Sequence, residues 1–335
     1  MASWSDDDAE ADTASVMSDV EARGGSSPPR REKPALVCTM ESAKMFVTLL
    51  SCLGTGRKDQ RVRCDVDARG LLVTAHSKGK SLQIKTSLSS NLFDSYDFHV
   101  GDQDSDDAEL TDDDAQISFA LNLHTLIECV SIFGASALAT TSLRLSYLAQ
   151  AARLLLVVED SGVVCECSMQ VLEREGNDVG PMEFESAFEH AAVVGRCIMQ
   201  SAPLHEAFAE LYDLPSAAAV TITMVGQGDD STTNNDAASG CLKLRATSES
   251  GACDIAFAPR SSAFIEFFCA RSDGSCSGTF HVAVLQQALK ALAQSSETFL
   301  RMNDDGFLSV QHMIEGPAGE RAFVDALVSP EDTSM

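Results

Sequence analysis

Carboxylates offer the most chemistry in this chain. The runs DSDD and TDDD fall within Asp102–Asp114, which holds eight acids and no base. Several acids around paired divalent ions would suit a metal-dependent 3'-5' DNA exonuclease. Such ligands have to be held on rigid elements about a fixed point. These acids instead share one polar segment with no apolar anchor beside them, which favours a solvated insert. Asp65/Asp67 alternate along a strand pattern and Asp304/Asp305 sit in a turn pattern, so both pairs have plain structural readings.

The other reactive side chains are scattered. Seven histidines form neither HxxxH nor HExxH, and His124 and His205 fall on the polar faces of helix patterns. No GxSxG or GxxxxGK[ST] occurs. LGTGRK at 53–58 lacks phosphate-loop spacing and reads as a helix-ending glycine followed by a turn. Eleven cysteines form no CxxC pair. Most of them (Cys52, Cys64, Cys129, Cys165, Cys167, Cys197, Cys253, Cys269) lie in apolar or alternating runs, where a thiol behaves as a small hydrophobe. The residue types predict no catalysis, no metal and no cofactor, in a reducing compartment.

Charge narrows the partners. The formal net charge is -26. Residues 1–34 contribute eight acids against four bases, a disordered-tail composition. Bases gather once, between Glu41 and Lys85, where nine (Lys44, Arg57, Lys58, Arg61, Arg63, Arg69, Lys78, Lys80, Lys85) face four acids. An acidic body repels phosphate except at such a place. No run approaches the ~18 apolar residues of a membrane helix. The first twenty residues hold acids and no base, unlike a leader peptide. A soluble intracellular protein with no membrane partner is expected.

The elements that would position these residues repeat. Four helical patterns, ESAKMFVTLLSCL, NLHTLIECVSIF, PLHEAFAEL and VAVLQQALKALA, recur about 80 residues apart. Each places apolar side chains at i, i+3, i+4 and i+7: Met45, Phe46, Leu49, Leu50 and Leu53 in the first, Leu285, Leu289 and Leu292 in the last. Between them run alternating strands such as Val62/Cys64/Val66 and Val220/Ile222/Met224. A strand, a helix and three strands, repeated four times, predict an α+β fold of antiparallel sheets with helices on one side only. The polar stretch at 172–181 is the expected linker between domains at 35–171 (insert 101–115) and 182–329, with an acidic end at 330–335.

Two such double units make a sliding-clamp protomer, and particular segments resemble one clamp family. LIECVSIFG (126–134), GVVCECSMQ (162–170), IMQSAPLHEAFAEL (198–211) and NDDGFLSVQHMIEGPAGERAFVDALVSPED (303–332) resemble Rad-one-type subunits of the heterotrimeric DNA-damage checkpoint clamp. The resemblance runs from about 36 to 332.

It implies a non-catalytic nuclear subunit, with sheets outside and helices lining a pore. It also implies two sister subunits, a clamp loader, double-stranded DNA held without sequence readout, and checkpoint and repair proteins as partners. DNA would face Lys44, Arg57, Lys58, Lys78, Lys80 and Lys290, diluted by Glu41, Glu128, Glu206 and Glu210. Sister subunits would meet Val163, Val164, Cys165, Cys167 and Met169 on one edge and Cys253, Ile255 and Phe257 on the other. A partner-peptide pocket would involve Leu172, Val179 and Met182. A homotrimeric replication clamp is the alternative within the same architecture.

Overall fold

Alternating side chains and short turns make antiparallel strands the main regular element of this chain, each strand dividing a core side from a solvent side. The computed structural model describes residues 33–77, 79–99, 115–172, 181–226, 242–258, 260–270, 274–317 and 319–331, with backbone alone at 181–183. The first unit is β1 (Leu36–Met40), α1 (Lys44–Cys52), β2 (Arg61–Asp67), β3 (Gly70–His76) and β4 (Leu82–Ser89), followed by a short β5 (Ser95–Phe98). The second is β6 (Ile117–Asn122), α2 (Leu123–Val130), β7 (Ser142–Leu148), β8 (Arg153–Asp160) and β9 (Val163–Gln170). A helix α3 (Pro181–Glu189) follows. The third unit is β10 (Val193–Gln200), α4 (Ser201–Tyr212), β11 (Ala219–Val225), β12 (Leu242–Ser248) and β13 (Gly251–Phe257), followed by β14 (Phe264–Cys269). The fourth is β15 (Ser275–His281), α5 (Val282–Ala288), β16 (Glu297–Asn303), β17 (Leu308–Glu315) and β18 (Arg321–Val328).

The strands form three sheets, ordered β5-β1-β7-β8-β9, β14-β10-β16-β17-β18-β4-β3-β2-β6 and β13-β12-β11-β15. Two blocks recur. β14-β10-β16-β17-β18 repeats the order of β5-β1-β7-β8-β9, and β13-β12-β11-β15 repeats that of β4-β3-β2-β6. The nine-stranded sheet is therefore a five-strand block fused to a four-strand block at β18–β4, from Phe323 opposite Ser87 to Val328 opposite Leu82.

One contiguous core lies between helices and sheets. Phe46, Leu49, Leu50 and Leu53 pack with Leu126, Leu204, Phe208 and Leu285 over the sheet residues Ile84, Val324 and Ala326. Each large side chain so buried contributes about 1.5–3 kcal/mol. Local signals start the helices: Asn122 Oδ1 accepts from Thr125 N at 2.9 Å, and His281 Nδ1 accepts from Ala283 N at 3.1 Å. Where β10 passes β11 and β15, a Cβ on Gly195 would lie 2.5 Å from Cys276 Sγ, so a larger residue there would push the Cys276 and Met224 side chains aside.

Three features depart from the sequence expectation. β5 and β14 add a strand after the first and third units. The fourth helical pattern is not one helix: α5 stops at Ala288 and a 3₁₀ turn, Lys290–Ala293, completes it. Helices on one side only also fails, because α3 occupies the opposite face of the nine-stranded sheet. Strand alternation sets Leu327 opposite in direction to the core residues Ala326 and Val328, and Leu327 packs with Phe184 and Phe188 in a separate small cluster. The segment read as linker, 172–181, thus ends in the first residue of a helix.

Candidate functional site

A strand inside a sheet has both backbone rows paired, while an edge strand offers one row to a partner. Among the described residues β9 pairs only with β8, and β13 only with β12. These are the two strands expected to meet sister subunits. They are also the repeat counterparts of β18 and β4, the pair that fuses the two blocks within the chain. At that inner joint Ala326, Val328, Leu82 and Ile84 are all nearly inaccessible. At the free edges the equivalent core-side rows are less covered. Cys165 and Cys167 on β9 and Cys253, Ile255 and Phe257 on β13 are half-buried, and only Met169 is fully covered. Val163 and Val164 are 58% and 55% exposed.

The β9 edge also gathers sulfur. Cys165 Sγ lies 3.9 Å from Cys167 Sγ, and burial together with the Cys129 thiol on α2 pushes the Cys167 thiol upward. Burial raises Cys38 and Cys64 to about 12. Buried, protonated thiols are poor nucleophiles.

The bases expected to face DNA are dispersed by their partners. Lys44 is exposed on α1. Arg57 lies beyond the end of α1 and pairs with Asp59 at 2.6 Å. Lys58 is exposed, and its carbonyl accepts from Asn122 Nδ2 at 2.9 Å, tying the loop after α1 to the start of α2. Lys290 reaches the same loop from the other side, donating from Nζ to Gly54 O at 3.1 Å. Lys58 and Lys290 thus flank one loop of the helix layer. Lys80 sits in the β3–β4 turn, next to Ser81, whose carbonyl accepts from Ser329 N at 3.0 Å. That position belongs to the sheet layer. Lys78 lies outside the described residues. Three more bases of the cluster are ion-paired: Arg63 with Asp65 and Arg69 with Asp67, each at 2.8 Å, and Lys85 with Glu185 at 2.6 Å.

Among the described residues the acids and histidines singled out are not gathered into one site. Asp65, 3% exposed, is held by Arg63 and Ser118. Among the described residues no three His, Cys, Asp or Glu side chains gather as metal ligands. The acids of the insert lie outside the described residues. The most perturbed histidine, His312, is buried within the fold rather than in a cleft, and burial pushes it down to about 4.

Of the three residues grouped as a peptide pocket, Leu172 and the backbone of Met182 lie among the described residues. Leu172 bridges Ala120 on β6, an edge of the nine-stranded sheet. Met182 belongs to α3, which packs over the middle of that sheet. Val179 lies outside the described residues.

Comparison with known proteins agrees with this geometry. The sequence profile described as "Repair protein Rad1/Rec1/Rad17" matches residues 35–314. The chain belongs to the Rad1 family. The human "Cell cycle checkpoint protein RAD1" is 25% identical over 300 residues, covering 89% of this chain and 92% of that protein. The mouse protein of the same name is 25% identical over 303 residues, covering 90% and 94%. The fold also matches a crystal structure of Proliferating Cellular Nuclear Antigen from Entamoeba histolytica. That match has a TM-score of 0.64 at 12% identity, over 90% of this chain and all of that one. The Rad1-family chain therefore has a DNA-clamp fold. Its profile match takes in β9, β13, α3 and Lys290, and leaves out residues 1–34 and 315–335, β18 among them.

Proposed function

We propose that this Rad1-family chain is one subunit of a heterotrimeric DNA sliding clamp, a 9-1-1-type ring that encircles duplex DNA at damage sites and recruits checkpoint and repair factors. The observation that carries the reading is the pair of unlike free edges, β9 and β13, matching the two strands already joined at β18–β4. A head-to-tail ring needs two different ends on each subunit. Pairing β9 of this chain with a neighbour's counterpart of β13, and β13 with another's counterpart of β9, repeats the inner joint around the ring.

The finer parts of the reading follow from the same plan. Residues 35–171 and 182–329 form the two domains, and the edge residues Val163, Val164, Cys165, Cys167, Met169, Cys253, Ile255 and Phe257 form the junctions. Lys44, Lys58 and Lys290 face the DNA. A closed ring holds DNA by topology, so the ion-paired state of Arg57, Arg63 and Arg69 is no obstacle. Phosphate neutralisation, the usual basis of non-specific affinity, is not required in quantity. The subunit works in the nucleus, is loaded by a clamp loader and performs no catalysis of its own.

Native mass spectrometry of the chain co-expressed with two candidate sister subunits tests this. One copy of each subunit in the assembly is the expected result. A trimer of this chain alone would instead favour a replication-type homotrimer. Mg²⁺-dependent shortening of labelled DNA by the purified chain, lost when the insert acids are replaced, would favour the exonuclease.

A further inference from the structure

Three thiols meet at the middle of the open edge strand β9. Cys167 shares hydrogen bonds with the other two. One is Cys165 on its own strand, 3.9 Å from Sγ to Sγ, and the other is Cys129 in the last turn of α2. All three are half-buried at the margin of the main core, whereas Cys38, Cys52 and Cys64 are fully buried inside it. A thiol sealed in a core acts as a small hydrophobe. This trio packs on the core and still meets solvent, so a small reagent reaches it while β9 lacks a neighbour.

Of the two contacts, the one between elements suits a disulfide. Residues two apart on a strand have Cα atoms about 6.7 Å apart, close to the widest span a disulfide bridges, and their side chains project in parallel. Cys129 approaches Cys167 from a separate element instead. A bond there closes a loop that holds β7, β8 and the first half of β9. Closing so long a loop restricts the unfolded chain and favours the bonded, folded one.

We infer that Cys129 and Cys167 form a redox-modification site, which hydrogen peroxide closes to a disulfide in the unassembled chain. Peroxide first converts one thiol to a sulfenic acid, breaking its O–O bond and releasing a water. The second sulfur then displaces the hydroxyl, forming the S–S bond and a second water. Two thiol protons and two electrons thus reduce one peroxide to two waters. Contact drives the step, because protonated thiols are weak nucleophiles and the held geometry has to compensate. A bond so near solvent is of the labile kind that external thiols reduce again.

The consequence rests on the reading of β9 as a ring junction. Bonding Cys167 to α2 draws the middle of β9 toward the helix layer and out of line with an incoming strand. The oxidised chain loses the use of β9 and keeps that of β13. A sister strand paired to β9 covers Cys167 in turn, so the assembled ring resists an oxidant to which the free subunit responds.

The test treats the isolated full-length chain with hydrogen peroxide, blocks remaining thiols with an alkylating agent and maps disulfides by non-reducing peptide mass spectrometry. A Cys129–Cys167 link within one chain is expected, retained in Cys165→Ser and removed by dithiothreitol. A Cys165–Cys167 link, a link between chains, or no Cys129–Cys167 link would each overturn the inference, and the unmodified chain decides this even if the serine variant misfolds. Pairwise pull-downs then compare the reduced and oxidised chains. Loss of one sister subunit on oxidation, restored by dithiothreitol and absent from Cys129→Ser, is expected. An oxidised chain that keeps both sisters, or loses both, overturns the effect on β9. A reduced chain that binds neither sister counts against the ring reading alone, since the disulfide map still decides the thiol site.

Discussion

Lys290 donates its ammonium to the carbonyl of Gly54, 3.1 Å away across 236 residues of sequence. Gly54 lies just past the C-terminal end of α1, where helix carbonyls lack partners and a cation is favourable. Lys290 is therefore engaged in the fold as well as exposed. Lys290→Ala should lower stability by about 0.3–1 kcal/mol, whereas Lys44→Ala should stay within about 0.5 kcal/mol. Urea titrations of the two variants check this, and an equal effect would remove the structural role given to Lys290.

Leu126 and Leu289 are 2% and 4% exposed in the main core. Truncation of either to Ala leaves a cavity that the surrounding strands close only in part, so each should cost about 2–5 kcal/mol. His124→Ala, on the polar side of α2, should cost less than about 0.5 kcal/mol. Thermal or denaturant unfolding that ranked His124 above Leu126 would mean that α2 is turned the other way.

The buried His312 makes stability depend on pH. Its Nε2 donates to Ala288 O at 3.2 Å, which leaves Nδ1 to accept from the Thr298 hydroxyl at 3.0 Å. The neutral ring is thus fully paired, and burial lowers its pKa from 6.5 to about 4. Between those values the unfolded chain binds more protons than the folded one, so stability rises with pH through the window. The contribution is complete above pH 6.5 and is lost as pH falls toward 4, by up to about 3 kcal/mol. The slope of unfolding free energy against pH should flatten over this window in His312→Asn. An unchanged slope would place the titration elsewhere.

A proline removes a backbone donor and fixes φ, which an edge strand tolerates until a partner needs that edge. Val164→Pro on β9 and Ile255→Pro on β13 should each abolish association with one sister subunit and spare the other. Pairwise pull-downs decide it. Loss of both partners from either substitution would indicate misfolding, and loss of neither would take these strands out of the junctions.

Much of the fold could be read from side-chain period. Leu204, Phe208 and Leu211 and their counterparts in α1 and α2 repeat at helical spacing over about two turns, and all three are buried on α4. Strands β9 and β13 were legible because Cys165/Cys167 and Cys253/Ile255/Phe257 alternate cleanly, while their place at sheet edges was implied by the family resemblance alone. Helix α3 was not. Phe184 and Phe188 are a single pair among polar neighbours, and their apolar counterpart Leu327 lies on a strand far away in sequence. The 3₁₀ turn at Lys290–Ala293 escaped because Leu289 and Leu292, three apart, satisfy both helical periods. Ion pairing of the bases was only partly visible: Arg57–Asp59, Arg63–Asp65 and Arg69–Asp67 are neighbours in sequence, whereas Lys85–Glu185 spans 100 residues.

The fused β18–β4 joint has a mechanical consequence for the proposed ring. Six junctions of one geometry would run around the circle, three of them sealed inside single chains and three lying between chains. Sealed joints bury their side chains on both flanks, as Ala326 against Ile84 does here, and cannot separate without unfolding a protomer. Prying the circle apart would therefore concentrate strain at the three seams between chains. Because the seams would join different proteins, each would yield at its own load, and a ring of unlike subunits would own a preferred gate where a ring of identical ones would have three equivalent ones.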